Sequence, residues 1–234
     1  MKKTTIAVAT SVVLGVAMAP IAAADNGPSS GSSNRPTAEV AAPKGLASTN
    51  LGPDKKPLGA QSFASAYGGF PAYRQLRVIT QKSRYRIDSS PAAGRMALSV
   101  WRPNTLPSQW RIGQRMKISS SGTPIKNIAP TLNYYQKKNH YIWSSAQTWQ
   151  QYRYYALTGI TRYKSTPILI TRFERTPWYR GRSIYGNMPL TAYSYQNRAS
   201  GTRISVYDAR VGKSYRKVPG GTLWRASTAG YVIW

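Results

Sequence analysis

Between Tyr67 and Trp234 the chain sets 27 Lys and Arg side chains against three carboxylates, Asp88, Glu174 and Asp208, a net charge of +24 over 168 residues. Self-repulsion on that scale opposes any compact state. The same stretch holds all seven Trp and all seventeen Tyr. Those rings supply the apolar area needed to fold against the repulsion, and a disordered basic tail would lack them. Residues 67–234 are therefore expected to form a folded cationic domain. The 234 residues include no cysteine, so packing alone must stabilise it. That absence also excludes thiol nucleophiles, zinc knuckles and disulfide frameworks.

The preceding residues read differently. Met1-Lys2-Lys3 is a short basic head, Ile6 to Ile21 is an apolar run, and Ala22-Ala23-Ala24 ends in a small-x-small pattern before Asp25. This is the three-part form of a secretory signal peptide over residues 1–24, with an apolar core too short for a good stop-transfer helix. No later apolar run approaches about 18 residues, so no transmembrane segment is expected in the mature form. Localisation is expected to be secreted, extracellular. Residues 25–66 are dominated by Pro, Gly, Ser and Ala, as in Asn26 to Pro36 and Gly52 to Pro57. They read as a disordered linker or propeptide.

Within residues 67–234 the local pattern is strand-like. Arg74 to Thr80, Arg84 to Ile87, Met96 to Trp101, Trp110 to Ile112 and Met116 to Ile118 alternate or run apolar. Ile168 to Phe173, Arg203 to Tyr207, Gly221 to Arg225 and Tyr231 to Trp234 do the same. Clusters such as Gly186-Asn187-Met188-Pro189 and Pro219-Gly220-Gly221 separate them. About eight to ten short strands at this spacing predict an all-β class, an antiparallel sandwich or small barrel. One helix is predicted after Ser144-Ser145, through Ala146, Trp149, Tyr152 or Arg153, and Ala156, at spacings of three and four.

Catalytic chemistry finds few side chains to use. His140 is the single imidazole, so it alone could serve as the base of a nucleophilic triad. Its setting, Gln136-Lys137-Lys138-Asn139-His140-Tyr141, reads as a basic turn on the surface, and no Gly-x-Ser-x-Gly elbow accompanies it. Asp88, Glu174 and Asp208 each lie beside an Arg, which predicts ion pairs rather than an acid–base dyad. Gly220-Gly221 reads as a hairpin turn and not as a phosphate-cradling loop. No enzyme, metal site or cofactor is expected.

What remains is Arg beside aromatics: Trp101-Arg102, Trp110-Arg111, Tyr152-Arg153, Trp224-Arg225 and Trp178-Tyr179-Arg180-Gly181-Arg182. On strands each pair would place its ring inward and its guanidinium outward. The planar Arg fork suits phosphate and carboxylate, while Tyr and Trp suit sugar rings or an interface. The expected polyanion-binding residues are Arg180, Arg182, Trp178, Tyr179, Arg153 and Arg225. The expected partners are anionic cell-envelope polymers or the membrane surface of bacteria, with nucleic acid as a further candidate.

Ala22-Ala23-Ala24, the low-complexity stretch from Asn26 to Lys56 and the cationic end Arg203 to Trp234 together resemble the precursors of secreted, unmodified cationic bacteriocins. Some of those resemble proproteins activated by proteolysis. Lys213 to Arg225 also resembles a strand pair of bacterial SH3-type wall-binding modules. The resemblance implies a secreted antimicrobial, bacteriocin-like factor. The alternative is a non-lethal cell-wall or glycan-binding protein of the producing cell. Extracellular nucleic-acid binding is third.

Overall fold

The computed structural model describes residues 69–85, 88–184 and 186–234. The signal peptide expected over residues 1–24 and the linker expected over 25–66 lie outside the described residues, as do Arg86 and Ile87 of one predicted strand. Among the described residues seven strands, β1 (Tyr73–Gln75), β2 (Trp143–Ser145), β3 (Ile168–Arg172), β4 (Asn187–Arg198), β5 (Gly201–Asp208), β6 (Lys213–Pro219) and β7 (Ser227–Ile233), form one antiparallel sheet. Its order is β2-β7-β3-β4-β5-β6. The long β4 pairs β5 along one side, and on the other it pairs β3 through residues 187–191 and β1 through 194–196. The sheet is open and does not close into a barrel.

Five α-helices among the described residues hold about as many residues as the strands: α1 (Ser90–Ser99), α2 (Gln109–Arg115), α3 (Ile128–Tyr135), α4 (Trp149–Thr161) and α5 (Gly220–Ala226). The all-β expectation therefore holds for the antiparallel sheet and fails for what covers it. Ile168, Ile170 and Ile233 pack with Ala93, Ala97, Ile112, Met116, Ile128 and Leu132 of the α1–α3 region. Their strand neighbours Leu169 and Val232 point the other way and pack with Tyr152, Ala156, Leu157 and Ile160 of α4 and with Leu223 and Trp224 of α5. Successive strand residues face opposite sides, so the sheet is buried on both. The continuous apolar run Ile168-Leu169-Ile170 is the sequence mark of that arrangement.

Several predicted strands are helical for local reasons. Met96 to Trp101 belongs largely to α1, where Pro91 occupies the first turn and the Asp88 Oδ1 accepts the Ser90 N–H at 2.7 Å. Trp110 to Ile112 lies in α2, whose Ser108 cap accepts the Arg111 N–H at 3.3 Å. Met116 to Ile118 follows α2 as a turn, and Gly221 to Arg225 is α5 rather than a strand after a hairpin. Of Arg74 to Thr80 only the first residues pair, in β1, and Arg84 and Tyr85 lie outside any strand. The predicted helix is α4, but it starts later. Thr148 caps it by accepting the Gln151 N–H at 3.2 Å, while Ser144 and Ser145 sit in β2.

Candidate polyanion-binding site

The segment Trp178 to Arg182 carries a cationic site on the α4–α5 side of the sheet. After β3 the chain makes two short 3-10 turns, Phe173–Arg175 and Pro177–Tyr179. Arg180 then has φ −54° and ψ 134°, Gly181 has φ +80°, and the Arg182 N–H bonds the Tyr179 carbonyl at 3.0 Å. That is a type II turn, and its third position requires glycine. It holds Arg180 and Arg182 out in solvent on either side of Gly181.

Asp208 fixes the base of this turn. It ends β5, is fully buried, and its Oδ2 accepts the Tyr179 hydroxyl at 2.8 Å and the Trp178 Nε1–H at 3.3 Å. Its Oδ1 accepts the Arg210 backbone N–H at 2.9 Å, which sets the turn into β6. Burial first, then the hydrogen bond to Asp208 and its charge, raise the Tyr179 pKa above the ordinary phenol value. Tyr179 therefore remains a proton donor to Asp208 at neutral pH.

Around this anchor, aromatic rings and cations alternate in space. Trp178 stacks on Tyr215 of β6 with centroids 3.8 Å apart and planes 12° from parallel. The Arg182 guanidinium lies 5.7 Å from the Tyr179 centroid, Arg210 lies 4.7 Å from that of Phe173, and the Lys213 Nζ lies 5.6 Å from that of Tyr215. Each such contact is worth about 0.5–1 kcal/mol at partly exposed sites and limits where the cation can roam. The corner offers guanidinium and ammonium donors beside a half-buried indole and phenol, groups whose chemistry matches that of phosphate, carboxylate and sugar rings.

The structure sorts the six expected residues. Trp178, Tyr179, Arg180 and Arg182 come together, but the Tyr179 ring is buried at 2% exposure, so it supports the site and does not face a ligand. Arg153 belongs elsewhere: on α4 its Nε donates to the Thr202 hydroxyl at 2.7 Å, near the start of β5. Thr202 and Asp208 stand six residues apart along that strand, about 20 Å at the rise of an extended chain. Arg225 is exposed on α5, where its guanidinium reaches back to Thr222 at 3.5 Å.

Asp208, Arg210, Lys213 and Tyr215 are the members that the sequence reading missed. The signal present was Asp208-Ala209-Arg210-Val211-Gly212, a hairpin turn directly after a strand. The expected ion pairs are also corrected. Glu174 does pair with Arg172. Asp208 takes backbone, indole and phenol donors, because in a buried site these satisfy a carboxylate without desolvating a guanidinium. Asp88 bonds the α1 N-terminus. The strand rule for ring–Arg pairs fails at Trp110, which is 59% exposed on α2.

His140 is half-buried in the segment between α3 and β2. Among the described residues no group of three His, Asp or Glu side chains is placed to hold a metal ion, and no helix is long and apolar enough to cross a membrane. In kind, the fold and site define an antiparallel sheet covered by helices on both faces and bearing a cationic, aromatic corner. Compared with protein-family models and with curated proteins, the chain finds no match.

Proposed function

We propose that this chain is a secreted cationic protein that binds anionic components of the bacterial envelope and acts as an antimicrobial, bacteriocin-like factor. One observation carries the reading: all three carboxylates of residues 67–234 are engaged internally. Asp88 holds the α1 N-terminus, Glu174 pairs with Arg172, and Asp208 is buried beneath Trp178 and Tyr179. Among the described residues Arg172 and Glu174 form an ion pair and no exposed cation has one, and an excess of one sign draws a polymer of the other. Two Arg residues in a fixed turn beside a Trp–Tyr stack give that attraction a location.

A non-lethal wall- or glycan-binding role is the second reading, favoured by the half-buried Trp178–Tyr215 pair, since sugar rings stack on such faces. The mature chain, spotted on lawns of a panel of bacteria and sedimented with their washed envelopes, separates the two. The first reading expects adsorption that high salt reverses, together with growth inhibition. Adsorption without inhibition selects the second. Failure to adsorb, combined with retention on DNA at the same salt, would replace both with nucleic-acid binding.

A further inference from the structure

We infer a second phosphate-binding site on the opposite face of the sheet, in the cleft between the C-terminal ends of α1 and α3, such that one chain bridges two anionic polymer segments or surfaces. The inference rests on the polyanion-binding reading above and deepens it.

The cleft has a volume of about 280 Å³ and is lined by Trp101, Arg102, Tyr135, Gln136, Lys137 and Lys138. It therefore combines two aromatic walls with three cations, of which Arg102, Lys137 and Lys138 are exposed. Arg102 is held in place, with its Nη1 donating to the Tyr135 carbonyl at 2.6 Å and its Nε to the Thr105 hydroxyl at 3.1 Å. The first of these bonds caps α3, and neither uses Nη2 of the guanidinium fork.

The loop that carries the two lysines is also held. Gln136 is buried, accepts the Asn139 N–H at 2.8 Å and donates to the Asn139 carbonyl, clasping the loop that carries Lys137 and Lys138. Asn133 clasps Tyr141 in the same manner, at 2.8 and 2.6 Å. A loop pinned on both sides loses little further entropy on binding.

The surface continues beyond the cleft. Tyr134 meets Tyr135 edge-on at 5.1 Å, and the Arg115 guanidinium lies 3.2 Å over the Tyr134 ring, which is 53% exposed. No described carboxylate bonds any of these cations. A run of cations interleaved with rings suits a chain of repeated phosphates better than one small anion.

Position supplies the bridging. Tyr135 of this cleft packs in the α1–α3 layer, on the Ile168, Ile170 and Ile233 side of the sheet, whereas Tyr179, Trp178 and Tyr215 pack on the Leu169 and Val232 side. Two sites on opposite faces of one rigid sheet cannot both engage one flat surface. They join two surfaces, and avidity then comes from crosslinking.

The test compares the mature chain with Lys137→Gln/Lys138→Gln and with the charge-matched Lys126→Gln/Lys164→Gln, after circular dichroism shows equal folding. Phosphatidylglycerol vesicles are followed by co-sedimentation for binding and by light scattering for bridging. Tripolyphosphate titration counts sites for a soluble phosphate chain. The parent should bind and aggregate vesicles and take two tripolyphosphates. The Lys137/Lys138 variant should co-sediment within about threefold of the parent, scatter about tenfold less and take one tripolyphosphate. The charge-matched variant should behave as the parent. A response confined to vesicles assigns lipid headgroups as the source of phosphate, and one confined to tripolyphosphate assigns free polymer. Equal aggregation by parent and Lys137/Lys138 variant overturns the second site, as does equal loss in both variants. Absence of any binding by the parent refutes the polyanion reading itself.

Discussion

Tyr152 on α4 is fully buried, with its ring 5.4 Å from that of Trp224, and its hydroxyl lacks a hydrogen-bond partner. Tyr152→Phe removes that unsatisfied group and keeps the ring, so it should stabilise the fold by about 1 kcal/mol, read as a raised Tm. Tyr141 is buried against α1, and desolvation pushes its pKa up to about 12 from the ordinary 10. The folded state thus holds its proton more tightly than the unfolded chain does. Its contribution is complete below pH 10 and is lost as pH rises from 10 to 12, by about 2–3 kcal/mol for this ring. Urea midpoints should fall across that window, with the 295 nm tyrosinate absorbance of Tyr141 and the other buried rings appearing late and together with unfolding. Early absorbance from every tyrosine would contradict this burial. None of this was legible from a count of seventeen tyrosines, because composition does not say which hydroxyls find partners. The site shows the same limit. Trp178, Arg180 and Arg182 were readable from one Gly-containing turn, whereas Asp208 reads as a surface ion-pair residue until β5 buries it.

At the scale of elements, sequence and structure part where aromatic residues serve strands and helices equally. Ile168 to Arg172, Arg203 to Tyr207 and the chain end were recognisable because β-branched and aromatic residues dominate them. The longest strand, β4, begins at Asn187-Met188-Pro189, a stretch that reads as a turn. Proline is tolerated there because pairing with β5 starts only at the next residue, Leu190 opposite Asp208. α1 was hidden by Met96-Ala97-Leu98, although Asp88, Pro91 and the run of alanines marked a helix start. The edge strand β6 carries Lys213, Arg216 and Lys217, with Lys217 at φ +56° where the register slips, and such features discourage further strand addition. The junction of β7 with β2 depends on Gly230, at φ +66°, where a Cβ would collide with the Ala146 carbonyl and the Trp224 ring. Gly230→Ala should cost more than about 2 kcal/mol and lower the Tm accordingly. An unchanged Tm would mean that this junction is not tightly packed.

For the whole molecule the governing quantity is a net +24 on the 168 residues from Tyr67 onward, with every carboxylate used internally. The charge excess was plain in the sequence; its lack of acidic offset at the surface depends on where three side chains fold. Salt should then act with opposite sign on two properties. Screening relieves self-repulsion, so the Tm should rise by a few degrees between about 0.02 and 0.5 M monovalent salt. Binding to a polyanion should weaken over the same range, because each neutralised charge releases a counterion. The most direct measurement is the affinity of the chain for phosphatidylglycerol vesicles as a function of salt, with and without Arg180→Gln/Arg182→Gln. The account predicts a steep fall in log affinity with log salt for the parent, and weaker binding with a shallower slope for the variant, whose fold is unchanged by circular dichroism. Affinity that stays level from low to high salt, or a variant with the slope of the parent, would contradict it.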